Sequence, residues 1–177
     1  KGKQTGNFGS YNCISFNGNK IITGSSGGML LTNDLDASNK ARKWSTQSRE
    51  NASWYQHEEV GYNYRMSNLV AAIGLAQVEK ADEYREMRIR NHQLYRKYLK
   101  DVPGIIFQSE PLEGCIDVCW MNTIVIDPDE YGHHKDDLIA HLKEKGIDTR
   151  LLFTGMHKQK AMMDYGCDCS GCFPVCE

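Results

Sequence analysis

Val102-Pro103-Gly104 stops the longest periodic segment of the chain and so divides it into unlike parts. From about Asp82 to Lys100, Tyr84, Met87, Leu94, Tyr95 and Tyr98 recur along one helical stripe, with Glu86 and Arg90 spaced i,i+4 on the surface. Proline has no amide to continue the ladder, and glycine favours the left-handed cap, so the helix must end there. Before this helix the chain alternates glycine-rich breaks with short β-prone runs. After it the pattern becomes strand, helix, strand. The division predicts three parts: residues 1–80 as the end of a larger α/β domain, 81–103 as a connecting helix, and 104–177 as a smaller α/β domain.

Composition sets the class. The 177 residues carry 21 Lys+Arg against 23 Asp+Glu, a net charge of −2, with 40% hydrophobic and 25% charged residues. That balance is too apolar for disorder and lacks the basic face that phosphate contacts on nucleic acid require. No apolar run approaches the ~18 residues of a membrane helix, and no secretory leader pattern is present. The expectation is a soluble cytoplasmic protein, with neither nucleic acid nor a membrane as partner.

The first third is the most informative. Short strands are expected at Tyr11–Phe16 and Met29–Thr32, with the turn signal Asn17-Gly18-Asn19-Lys20 between them and a second break at Gly24-Ser25-Ser26-Gly27-Gly28. A helix from Asp34 to about Ser45 has Asp34 as its cap, and Ser67 caps the next, whose apolar face is Leu69, Ala72, Ile73 and Ala76. Further on, Met121–Ile126 is expected as a strand, Asp136–Lys145 as a helix closed by Gly146, and Asp148–Phe153 as a last strand. Lys20 on its turn is open to two interpretations. One is a solvated surface lysine. The other is a Schiff-base lysine, which needs a primary amine held where a neutral nucleophile exists near pH 7.

Three segments decide between them: Ser15-Phe16-Asn17-Gly18-Asn19-Lys20-Ile21-Ile22-Thr23, Gly27-Gly28-Met29, and Gly61-Tyr62-Asn63-Tyr64-Arg65-Met66-Ser67-Asn68. Together they resemble the pyridoxal-phosphate-dependent nucleotide-sugar aminotransferases of the DegT/DnrJ/EryC1/StrS family. The likeness runs from Lys1-Gly2-Lys3-Gln4-Thr5-Gly6 through Thr46-Gln47-Ser48-Arg49-Glu50 to Thr149-Arg150 and Met156-His157. It implies an aspartate-aminotransferase-like large domain (fold type I) in residues 1–80, followed by the connecting helix and a smaller C-terminal α/β domain.

The resemblance also implies roles. Lys20 matches the lysine that holds pyridoxal 5'-phosphate as a Schiff base and later moves a proton. Ser15, five residues earlier, matches a serine that binds the cofactor phosphate. Asn63 matches an asparagine reaching the phosphate of a neighbouring subunit's cofactor, which implies a homodimer with shared active sites. Arg65 matches an arginine on the sugar nucleotide's diphosphate, a bidentate task that suits a guanidinium. His157 lies where the family lines its sugar pocket. A dehydratase branch of the family has histidine at the lysine position, so Lys20 favours aminotransfer. The expected substrates are a nucleotide-linked 4-keto-6-deoxyhexose and an amino donor, glutamate, for polysaccharide or glycan biosynthesis.

Two features depart from this pattern. The family's pyridinium-pairing aspartate and phosphate loop lie well before the lysine, where this chain has only 19 residues, and its last helix and strand come after Val175. A chain without Met at its start and with cysteines at its end is therefore expected to be a piece of an enzyme about twice as long, weakly active alone. The tail, Cys167-x-Cys169-x2-Cys172-x3-Cys176, fits neither a paired zinc ribbon nor a ferredoxin run, and Gly171-Cys172-Phe173-Pro174-Val175 fits a family loop. No metal is expected there. The alternatives are a thiolate-metal module built on this tail, or a catalytically inactive fragment.

Overall fold

The computed structural model describes residues 2–174; Lys1 and 175–177, including Val175 and Cys176 of the tail motif, lie outside the described residues. The chain is mixed α/β and forms two compact units: Lys1–Tyr98 with Ser109–Asn122, and Leu99–Gln108 with Thr123–Glu177.

The first unit begins with an antiparallel hairpin. Strand β1 (Tyr11–Ser15) pairs with β2 (Gly28–Thr32), with Tyr11 opposite Thr32 and Ser15 opposite Gly28. Helix α1 (Leu35–Ser45) follows, and the Asp34 carboxylate accepts from the Ala37 amide at 3.0 Å as the expected cap. Asp34 also accepts from the Tyr11 hydroxyl at 3.1 Å, which ties the start of β1 to the start of α1. Helix α2 (Asn68–Val78) starts at Ser67, whose hydroxyl accepts from Val70 at 3.3 Å.

Helix α3 (Ala81–Leu99) has the predicted extent but turns a different face inward. Met87, Leu94, Tyr95 and Tyr98 of the aromatic stripe are exposed. The half-buried positions are Ala81, Tyr84, Arg85, Ile89, His92, Arg96 and Leu99, so Tyr84 alone of the stripe is partly covered. From the same side of α3, Arg88 donates to the Trp120 carbonyl at 3.3 Å, His92 bonds the Asn122 side chain at 2.9 Å, and Arg96 pairs with Glu110 at 2.8 Å. Residues 88, 92 and 96 share one line at i,i+4 spacing. A polar grip on the 109–122 segment holds this side of the helix.

In the second unit the Pro-Gly stop does what was expected. The amide of Val102 donates to Leu99 O at 3.1 Å, and Gly104, at φ +71°, is buried against Asp127 and Tyr131 where a Cβ would overlap both. Strands β3 (Ile105–Phe107) and β4 (Ile124–Ile126) pair antiparallel, so only the second half of Met121–Ile126 is strand. A short helix α4 (Pro128–Tyr131) precedes α5 (Lys135–Glu144), whose first turn is held by Asp137 accepting from the His134 amide at 3.0 Å. Asp148–Phe153 is not a strand: no ladder partner lies beside it among the described residues, and a lone extended segment leaves its amides and carbonyls unpaired. A 3₁₀ turn at Met156–Lys158 and helix α6 (Lys160–Asp164) follow.

The chain presents apolar surface that it does not cover. It exposes 14554 Å², whereas a folded monomer of this mass would expose about 8,700 Å². Helix α2, NLVAAIGLAQV, is apolar on every side yet has Leu69, Ile73, Leu75 and Val78 exposed. Such a helix is suited to a position packed all round. Among the described residues no helix is long and apolar enough to cross a membrane.

Candidate active site

The loop between β1 and β2 carries Lys20, and it is closed at its root. The Phe16 amide donates to Gly27 O and the Gly24 amide to Phe16 O, both at 3.0 Å, while the Thr23 hydroxyl donates to Phe16 O at 3.1 Å. Within the loop the predicted turn forms: the Lys20 amide donates to Asn17 O at 3.0 Å, and the Asn17 side chain donates to that of Asn19 at 3.1 Å. Lys20 is half-buried at the far end of this closed loop. Its ammonium lies 3.6 Å from the centre of the Trp120 ring, and the Trp120 indole N–H donates to the Asn19 carbonyl at 2.8 Å.

Ser15 ends β1 at the loop's root, and its hydroxyl accepts from the Asn17 amide at 3.2 Å. It caps its own turn and retains a proton to donate. The loop also meets the second motif. A Cβ built on Gly27, whose φ is +98°, would lie 2.8 Å from Met66 Cε, and one on Gly24 would lie 3.0 Å from Val70 Cγ1. These glycines let the lysine loop rest on the start of α2, which brings the two sequence motifs together.

Asn63 and Arg65 are placed by the end of α1. The Tyr62 amide donates to Trp44 O at 2.7 Å, Tyr64 to Ser45 O at 3.0 Å, and Gln47 to Tyr62 O at 2.9 Å, while Thr46 and Asn63 form an isolated bridge. Ser48 is fully buried beneath this crossing at φ +50°, its hydroxyl donating to Val60 O at 3.2 Å. Asn63 and Arg65 themselves are exposed.

A charge cluster pins the other side of the same loop. Glu59 accepts from Lys40 at 2.6 Å and from the Trp44 indole at 3.0 Å, and Lys43 bridges Glu50 at 2.5 Å and Glu59 at 3.4 Å. The Lys40 contact above all, then the Trp44 hydrogen bond, holds the Glu59 carboxyl down to about 2. The Glu50 hydrogen bond raises Lys43.

His157 belongs to the second unit, in the 3₁₀ turn, where its ring stacks on Phe173 with centroids 4.3 Å apart at 23°. Among the described residues no group of three or more His, Cys, Asp or Glu side chains converges on a common point, and Cys13, Cys115, Cys119, Cys167, Cys169 and Cys172 are free thiols. Trp120 is the site residue that sequence reasoning missed. It stands 101 residues from its hydrogen-bond partner Asn19, so no local spacing could join them.

The arrangement offers a half-buried primary amine on a closed loop, a hydroxyl at the loop's root, and an exposed amide and guanidinium on a rigid crossing. A family model for DegT/DnrJ/EryC1/StrS aminotransferases matches residues 1–177. EpsN of Bacillus subtilis (strain 168), named as a pyridoxal phosphate-dependent aminotransferase, is 43% identical over 159 residues, 90% of this chain and 40% of its own length. GDP-perosamine synthase of Escherichia coli O157:H7 is 35% identical over 157 residues, 89% of this chain and 42% of its own. DesI, solved in the presence of its TDP-sugar product, superposes with a TM-score of 0.79 at 27% identity, over 90% of this chain and 40% of DesI. The chain thus spans about two fifths of the length of the relatives it matches, and fold type I fits these neighbours.

Proposed function

The chain belongs to the DegT/DnrJ/EryC1/StrS aminotransferase family, whose members depend on pyridoxal phosphate, and from that premise we propose that the protein carrying it transfers an amino group to a nucleotide-linked 4-keto-6-deoxy sugar. The observation that carries this is the placement of Lys20. An amine held half-buried on a loop closed at its root is positioned repeatedly in one place, as covalent catalysis requires, and is unlike a freely solvated surface lysine.

The residues present fit the cofactor. Lys20 Nζ would hold it covalently, and the Ser15 hydroxyl would donate to its phosphate. When bound, the cofactor supplies the electron sink for breaking a bond at the donor's α-carbon. The free Lys20 amine would carry the proton at the reacting carbon. Asn63 would serve a partner subunit's cofactor phosphate, in a homodimer with shared sites, and exposure of Asn63 is compatible with that role. Arg65 would clamp the substrate diphosphate through its planar fork. His157, on a turn braced by Phe173, would be a contact for the sugar substrate. We assign glutamate as donor, the cytoplasm as location, and polysaccharide or glycan synthesis as the destination of the product. The names of EpsN and of the GDP-perosamine synthase support the reaction class, and the TDP-sugar product of DesI supports the substrate class.

The test uses the complete protein with added pyridoxal phosphate. An absorption band near the visible edge should form, and borohydride trapping should leave the label on the peptide containing Lys20. A Lys20→Ala variant should lose both. No band, or a band that survives in Lys20→Ala, would overturn the proposal.

A further inference from the structure

The geometry points to Trp120 as a positioning residue for Lys20: its indole N–H fixes the lysine turn, and its ring face is the resting place of the amine when that amine is not bonded to cofactor. This rests on the function proposed for Lys20 and adds a residue to it.

Two contacts converge from one side chain. The indole N–H reaches the Asn19 carbonyl at 2.8 Å, one residue before Lys20, and the ring lies under the Lys20 ammonium at 3.6 Å. The first restrains the backbone that aims the lysine. The second attracts the ammonium to the negative face of the ring, a contact strongest for tryptophan. Trp120 is itself held from behind: its carbonyl accepts from Arg88 of α3 at 3.3 Å, and the neighbouring Asn122 side chain bonds His92 at 2.9 Å.

The backbone before Trp120 is shaped for this. Cys119 is buried at φ +51°, and its amide donates to the Asp117 carboxylate at 3.0 Å. A non-glycine residue is uncommon in the left-handed region, and here that hydrogen bond holds it there. The result is a strap, gripped by α3 and ending in an aromatic face against the lysine. A lysine that is covalently engaged in one phase and free in another needs a defined place in the second phase, because four flexible bonds otherwise disperse the amine.

The test compares Trp120→Phe and Trp120→Leu in the complete protein. Both lose the N–H, and only Phe keeps an aromatic face. With lysine labelled by carbon-13 and cofactor removed, the Lys20 ε-methylene resonance, assigned by its loss in Lys20→Arg, should lie upfield of the other lysines. It should remain upfield in Trp120→Phe and join the others in Trp120→Leu. A Lys20 resonance among the other lysines in the unaltered protein, or one unmoved in Trp120→Leu, would overturn the proposal. Trp120→Leu should also bind pyridoxal phosphate ~2–5-fold more tightly than Trp120→Phe, because the free amine has lost its competing partner. Equal affinities would overturn the resting-place role. An upfield resonance in a protein whose Lys20 then takes up no added pyridoxal phosphate would support the contact and overturn the functional assignment beneath it.

Discussion

Gly61 lies directly against the backbone of Ser48, so closely that a Cβ at position 61 would overlap the Ser48 amide and hydroxyl. This one close approach lets the chain between α1 and α2 cross itself and set Asn63 and Arg65. Gly61→Ala should therefore push the crossing apart and cost about 1–3 kcal/mol of stability, as overpacking does. Chemical denaturation would measure this in the complete protein. If Arg65 serves the diphosphate clamp proposed for it, substrate affinity should fall more than cofactor affinity. An unchanged midpoint would mean the crossing can admit a methyl group.

Glu59 makes the same loop sensitive to acid. Its folded carboxyl titrates at about 2 against an ordinary 4.5, chiefly because Lys40 holds the charged form. A depressed carboxyl contributes stability above its unfolded pKa, and that contribution is lost as pH falls through the folded value. The loop should thus weaken between about pH 4.5 and 2. Glu59→Gln should remove that slope in a series of thermal melts across those pH values, and added salt should flatten it. A slope that survives the substitution would place the titrating group elsewhere.

Local signals were legible and distant ones were not. Asp34 and Ser67 cap helices as their side chains predict, and Lys20 sits on the turn that Asn17 announces. The hairpin strands fall within a residue of the expected bounds. The aromatic stripe of α3 did not announce this helix's contacts, because periodicity reports which residues share a face, not what that face meets. Here Arg88, His92 and Arg96 meet partners 32, 30 and 14 residues later, joined by hydrogen bonds and an ion pair that no spacing rule contains. Asp148–Phe153 misled for the same reason, since strand propensity acts only where a partner edge exists. The roles proposed for Lys20, Ser15, Asn63, Arg65 and His157 rest on the motifs, whereas Trp120, without a motif, meets Lys20 only through the fold.

Cys119 should report on the α3 grip. It is the one apolar core residue among the described residues, and burial, ahead of Asp117 and Glu110, pushes its thiol up. Cys119 should react with iodoacetamide more slowly than the exposed Cys13 and Cys115 in the chain as described. Arg88→Met removes the hydrogen bond to Trp120 O, and opening of the strap should then raise Cys119 labelling ~2–5-fold, with Cys13 unchanged. Peptide mass mapping after timed labelling separates the sites. Equal acceleration at both would mean general destabilisation, and no acceleration would mean that His92 and Arg96 suffice.

Asp34 joins two elements through two different oxygens. Oδ1 accepts from the Ala37 amide and caps α1, while Oδ2 accepts from the Tyr11 hydroxyl at the start of β1. The first contact, foremost, lowers its carboxyl, and the same Tyr11–Asp34 hydrogen bond raises the Tyr11 phenol. Asp34→Ala loses cap and link together and should lower the melting temperature by ~2–4 °C. Asp34→Asn keeps an oxygen for the cap, and Tyr11→Phe keeps the cap whole while losing the link. If the cap dominates, both of these should melt nearer the unaltered protein than Asp34→Ala. Their pH responses should also differ. The stability that Asp34 adds is present above the ordinary carboxylate range and lost as pH falls, so it persists in Tyr11→Phe but vanishes in Asp34→Asn. Should Tyr11→Phe be as damaging as Asp34→Ala, the tie between strand and helix, and not the cap, is what steadies the hairpin that holds Lys20.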